Sequence, residues 1–190
     1  MDAIDRQKSD LRLEVKNRRS SRVYDAESAG ALCVQMAELC LMQGVRKIAC
    51  YLAYGDEPDT ELFIDWAIEN DIQVVLPISK ADGELDWVVF DGETQPGIYG
   101  FPEPVGLAAN LSEVDLVFVP ALAVDRAGQR LGKGKGYYDR ALSESEVAAP
   151  VIAVVFEDEI LSHVPTEAHD RPVDAAVTPK GFRSFTDRLK

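Results

Sequence analysis

Between Asp125 and Arg140 the chain reads DRAGQRLGKGKGYYDR, and no other stretch concentrates so many groups able to do chemistry. Gly128, Gly132, Gly134 and Gly136 let backbone N–H groups approach a ligand and accept positive φ. Arg126, Arg130, Lys133, Lys135 and Arg140 surround them with positive charge. Amides in series with cations beside them are what a polyphosphate needs. Asp139 adds a carboxylate of the kind that binds Mg²⁺ together with phosphate oxygens, and it also suits the dipole of a helix first turn. The pattern is not a Walker A loop, because only three residues separate Gly128 from Gly132 and Gly134 follows Lys133. It is not a Rossmann fingerprint either, because Tyr137 stands at the third glycine position. Taken alone, GKGKG also reads as a surface turn with solvated lysines; a strand before it and a helix after it favour a phosphate loop.

A second polar cluster, YGDEPDTE from Tyr54 to Glu61, places Glu57 in a turn with Pro58 and offers Asp59 as a helix cap. Glu57 is expected to face the same crevice as the glycine loop. Cys33, Cys40 and Cys50 have no metal-ligand spacing, and the odd count argues against a disulfide framework. His163 and His169 form no metal set with them, and no Ser, Thr or Cys stands in a nucleophile motif.

These groups need a scaffold, and the apolar pattern supplies one. Helices are predicted over Asp5–Arg19, Ala26–Met42, the run TELFIDWAIEN and Tyr137 to about Glu146. Strands are predicted over Lys47–Ala53, Ile72–Ile78, Leu85–Phe90, Leu116–Val124 and Val151–Phe156, with a short one at Ala175–Val177. Asp91–Asn110, rich in Gly and Pro, reads as an ordered loop. Near-continuous apolar strands alternating with helices imply an α/β fold, a three-layer sandwich with a largely parallel central sheet flanked by helices. The length of 190 residues suits a single domain. In such sheets ligands sit at the carboxyl ends of strands, where the glycine loop falls.

The net charge of −13 argues against nucleic acid and anionic membranes as partners. The charged beginning of the chain shows no apolar signal region, and no run approaches about 18 apolar residues. A monomeric, soluble, cytoplasmic protein is expected.

The run VPALAVDRAGQRLGKGKGYYDRAL resembles the signature of the 5-formyltetrahydrofolate cyclo-ligase family, also called 5,10-methenyltetrahydrofolate synthetases. KSDLR, YLAYGDEPDTELFI, IYGFPEP and HDRPVDAAVTP match further family segments in order. The resemblance implies ATP-dependent closure of 5-formyltetrahydrofolate, with or without a polyglutamate tail, to 5,10-methenyltetrahydrofolate, with ADP and phosphate released. It implies that Lys8 and Arg12 reach the ATP phosphates from the first helix. Arg130, Leu131 and the loop Gly132, Lys133, Gly134, Lys135, Gly136, Tyr137 and Tyr138 would hold the nucleotide. Lys135 would lie closest to the transferred phosphoryl group, with Arg130 and Tyr138 beside the chemistry. Glu57, Leu52 and Tyr138 would contact the folate, and Asp139 with Asp170 would bind Mg²⁺. The chain departs from the family pattern at Val124 (usually Phe), at Ala121 (commonly Gly) and at Ala53-Tyr54-Gly55 (more usually Ser-Met-x). A nucleotide sensor, or an ATP-dependent α/β enzyme with another substrate, are the competing readings.

Overall fold

The computed structural model describes residues 3–23, 25–144, 147–167 and 169–189. Four helices are present among them: α1 (Ala3–Ser20), α2 (Ala26–Gln43), α3 (Glu61–Glu69) and α4 (Tyr137–Glu144). The main sheet contains seven strands: β1 (Lys47–Ala49), β2 (Gln73–Ser79), β3 (Leu85–Val89), β6 (Leu116–Pro120), β9 (Val151–Val154), β11 (Ala175–Thr178) and β12 (Gly181–Ser184). Their order is β12-β11-β9-β6-β1-β2-β3. The five inner strands run parallel, and the edge strands β3 and β12 are antiparallel to their neighbours. A two-stranded ribbon, β4 (Thr94–Pro96) with β5 (Pro102–Pro104), stands apart from the main sheet. So does a three-stranded sheet of β7 (Ala123–Asp125), β8 (Arg130–Leu131) and β10 (Ile160–Leu161), in the order β10-β7-β8.

Strand periodicity divides the core into two layers. Ile48, Val74, Leu76, Leu116, Phe118, Ile152 and Val154 join Leu32, Met36 and Leu39 of α2 and Phe63 and Ile64 of α3 on one face. Ala49, Val75, Val117, Val119, Val151 and Ala153 face the other way, against Tyr138, Ala141 and Leu142 of α4. This is the expected three-layer α/β sandwich. α1 instead packs Val15 and Leu11 against Leu122, Ala123 and Leu131 of the small sheet.

The sheet ends differ from the sequence expectations for local reasons. β1 stops at Ala49 rather than Ala53: Cys50 N still donates to Val75 O, but the Tyr51 carbonyl is taken by Thr60 Oγ1 at 2.6 Å. Leu116–Val124 is two strands in two sheets. Pro120 has no N–H to continue the ladder, and Leu122 N turns to Leu131 O at 2.8 Å. The Asp91–Asn110 segment contains the β4–β5 hairpin, with Gly97 N donating to Phe101 O across its tip. α2 begins at Asp25, whose carboxylate accepts from Ser28 N at 3.0 Å, and stops at Gly44, φ 60°. Ser145 and Glu146, expected to complete α4, lie outside the described residues. Among the described residues no helix is long and apolar enough to cross a membrane.

Candidate active site

A cavity of about 510 Å³ opens where β1, β2 and β6 end, bounded by Leu52 and Glu57, by Pro77 and Ser79, and by Pro120. The glycine loop closes a second side with Arg130, Gly132, Lys133, Lys135 and Gly136, and α4 adds Tyr137, Tyr138 and Asp139. The β4–β5 ribbon and its tip form a third wall with Tyr99, Phe101 and Glu103, and Lys16 of α1 completes the rim.

The loop is shaped by its glycines. Gly134 and Gly136 take φ of 99° and 69°, a region L side chains rarely enter. Arg12 donates to Gly132 O at 2.9 Å and packs beside Gly134, so α1 braces the loop from outside. Arg140 donates to Lys135 O at 2.9 Å and also to Gly83 O, tying the loop to the turn between β2 and β3. Arg140 is thus a structural member of the basic island. Two further members of the expected ligand turn belong elsewhere. Gly128 sits in the β7–β8 hairpin turn, where a Cβ would overlap the Val173 carbonyl, and Arg126 is exposed on that same turn. The part of the run that lines the cavity therefore begins at Arg130 and Gly132.

Inside the cavity the charges are paired. Lys133 Nζ lies 2.8 Å from Glu57 Oε1, and Tyr54 N donates to Glu57 Oε2 at 2.9 Å. Arg130 donates to Asp139 Oδ1 at 2.7 Å. Lys135 Nζ rests 3.3 Å from the Tyr99 ring centroid. The hydroxyls of Tyr99 and Tyr137 are 2.6 Å apart, and Tyr137 in turn donates to Lys80 O. Tyr54 packs on Phe101 at 4.6 Å between centroids, making an aromatic wall. Burial, reinforced by the negative charge of Glu57, pushes the Tyr138 phenol well above its ordinary range, so it is neutral and protonated.

Of the residues expected at the site, Leu52, Glu57, Arg130, Gly132, Lys133, Lys135, Gly136, Tyr137, Tyr138 and Asp139 all line this one cavity. Leu131 does not; it is buried against α1. Lys8 lies behind the loop, 2.6 Å from both Glu167 Oε2 and Asp170 Oδ2. Burial works against its ammonium, but those two carboxylates outweigh it and raise the pKa. The backbone N–H of Arg171, next to Asp170 in the chain, faces Asp139 Oδ1 at 3.4 Å. Glu167, His169 and Asp170 bring one ligand atom each within 4.8 Å of one another. Asp139 and Asp170 are oxygen donors of the kind Mg²⁺ takes beside phosphate, but each is held here by a cation, Arg130 and Lys8 respectively. Of the departures from the family pattern, Tyr54 lines the cavity, whereas Ala121 and Val124 are core residues. The wall residues Tyr99, Phe101 and Glu103 lie in IYGFPEP, a segment matched to the family above but given no role at the site; Lys16 carried no signal in the sequence.

Comparisons with known proteins bear on the family and the fold. The sequence model of the 5-formyltetrahydrofolate cyclo-ligase family matches residues 4–179. The chain is similar to the 5-formyltetrahydrofolate cyclo-ligase of Mycolicibacterium smegmatis, with 38% identity over 148 residues, 71% of this chain and 74% of that one. It is similar to the Escherichia coli K12 cyclo-ligase at 28% identity over 140 residues, 70% of this chain and 77% of that one. In three dimensions it resembles the 5,10-methenyltetrahydrofolate synthetase of Aquifex aeolicus, with a TM-score of 0.81 and 28% identity, covering 95% of this chain and 93% of that one. The Mycoplasma pneumoniae synthetase shares the fold at a TM-score of 0.71 and 22% identity, covering 90% of this chain and 98% of that one. With a glycine–lysine loop and an aromatic, acid-lined slot sharing one cavity, and with the family match running through both, this chain belongs to the 5-formyltetrahydrofolate cyclo-ligase family.

Proposed function

We propose that this protein converts 5-formyltetrahydrofolate and ATP into 5,10-methenyltetrahydrofolate, ADP and inorganic phosphate. The observation that carries the proposal is the shared cavity: Lys133, Lys135 and the glycine backbone face the same space as Glu57, Tyr54 and Phe101. A phosphoryl donor and a flat heterocycle would meet there.

The chemistry needs such a meeting. A formamide oxygen is a poor leaving group. The γ-phosphorus forms a bond to that oxygen while its bond to the bridging oxygen of ADP breaks. N10 of the folate, losing its proton, then bonds to the activated carbon as the carbon–oxygen bond breaks and phosphate leaves. Catalysis of this type rests on positioning and charge neutralisation rather than on a base or nucleophile. Lys135 would leave the Tyr99 ring to meet the transferred group, with Lys133 and the amides of Gly132, Gly134 and Gly136 along the phosphates. Arg130, held by Asp139, would add charge at the loop base. Glu57 and Leu52 would meet the pterin, and the neutral Tyr138 phenol can donate but not abstract a proton. Mg²⁺, held by Asp139 and Asp170, would screen the phosphate charge. Lys8 would orient Asp170 and approach the nucleotide with Arg12.

The test is direct. The protein is mixed with Mg·ATP and 5-formyltetrahydrofolate, and the methenyl chromophore is followed in the near ultraviolet. Growth of the band only when both substrates are present supports the proposal; no band under any condition overturns it.

A further inference from the structure

Three carboxylates line the cavity; Asp139 is held by Arg130, and the two glutamates are in different states. Glu57 has both oxygens engaged by the protein, one by Lys133 and one by Tyr54 N. Glu103 is 4% exposed, and its Oε1 accepts from Ser79 N at 2.9 Å. Its Oε2 has no hydrogen-bond partner among the described residues, although the side chain lines the cavity. A carboxylate oxygen that has no protein partner and borders the cavity is an acceptor open to a ligand bearing N–H groups. Gly97 leaves room for this carboxylate: a Cβ there would overlap the Glu103 side chain and force it to move. Phe101, two residues before Glu103 and so on the same side of the chain, presents its ring to the same cavity, backed by Tyr54.

We infer that Glu103 is a substrate-binding residue whose Oε2 accepts from the N–H edge of a flat heterocycle lying against Phe101 and Tyr54. The chemistry that suits it is an amino group beside a ring N–H, two parallel donors matching one carboxylate. The 2-amino-4-oxopyrimidine half of a reduced pterin has that edge. Adenine, the other heterocycle the reaction brings, sets its amino group between two ring acceptors and offers no such pair. The inference rests on the function proposed above and adds to it the residue that reads the pterin.

The test uses the full chain. Glu103→Gln keeps an oxygen for Ser79 N but turns the free acceptor into a donor. It is expected to raise KM for 5-formyltetrahydrofolate by about 10- to 100-fold, the loss of one charged hydrogen bond, while KM for ATP changes by less than about twofold. A second arm needs no variant: a 5-formyl analogue lacking the 2-amino group should bind wild-type protein more weakly by a similar factor, read by calorimetry without ATP. The Glu103→Gln protein should not distinguish the two ligands. An unchanged folate KM, an equal rise in KM for ATP, or equal discrimination against the analogue by both proteins would overturn the assignment. Wild-type protein that forms no methenyl product would instead defeat the proposed reaction, and pterin binding by calorimetry would still decide the role of Glu103.

Discussion

Lys133 and Glu57 meet at 2.8 Å, an ion pair that joins the glycine loop to the turn after β1 across the cavity both line. The carboxylate side chain is 6% exposed and the lysine 41%. On the proposed function the pair couples the two halves of the site, because a bound triphosphate would compete with Glu57 for the same ammonium. Glu57→Gln should raise the folate KM by about tenfold, and Lys133→Met should raise the KM of both substrates. In a double-mutant cycle the combined effect should fall short of the sum by more than about 0.5 kcal/mol, as contacting residues do. Strict additivity would show that the two side chains act independently during turnover.

Lys135 is the cation with the least structural work to do. It is exposed, and its ammonium rests on the face of Tyr99. Lys135→Ala should lower kcat by about 100-fold or more, the size seen when one preorganised charge-stabilising group is lost. The unfolding free energy should move by less than about 0.5 kcal/mol. Retained turnover, or a large loss of stability, would remove it from the phosphoryl step.

Arg19 and Glu159 form a pair with neither side chain exposed, and Arg19 also donates to Ala121 O at 2.7 Å. The pair fastens the end of α1 next to the break between β6 and β7. Glu159→Gln alone, or Arg19→Met alone, should destabilise the protein by about 3–5 kcal/mol in urea denaturation, since each leaves a buried charge uncompensated. The double change Arg19→Met with Glu159→Leu should recover most of that loss. Small single effects would mean that water reaches the pair.

The thiols give a pH-dependent prediction. Burial pushes Cys40 and Cys50 up to about 12, with Cys40 adding to the effect at Cys50. A thiol-reactive dye at pH 8 should therefore modify at most Cys33 in the native protein, and all three cysteines after denaturation. Their pKa values are raised by folding, so the stabilisation is fully present below the ordinary thiol value near 9. It declines as pH rises from there toward 12. Rapid labelling of three thiols at pH 8 would contradict the packing around β1.

Much of this site was legible in the sequence because its parts are local. The run from Arg130 to Asp139 carries its own glycines and cations between a strand and a helix start, so local sequence was enough to single it out, and most of it lines one cavity. Strand positions were legible where alternation met long apolar runs, as at Val151–Val154. The split at Pro120 was not, since VPALAV keeps its apolar pattern while the chain changes sheets. Gly128 was misplaced for a related reason: a glycine in a hairpin turn and a glycine in a phosphate loop look the same until Val173 packs against one of them. Tyr99 and Glu103 were out of reach because they meet the loop through tertiary contacts, Tyr99 with Tyr137 and Glu103 with Ser79.

The β4–β5 ribbon shares no ladder with the seven-stranded sheet, yet it supplies one whole wall of the cavity. Residues on it can be exchanged without repacking Ile48, Phe118 or Val154 in the interior. Natural variation in ligand preference thus has a place to accumulate at small thermodynamic risk, while the glycine loop, braced by Arg12 and Arg140, tolerates far less drift. Among relatives, divergence should gather on ribbon positions other than Gly97, Phe101 and Glu103 and thin out on the loop.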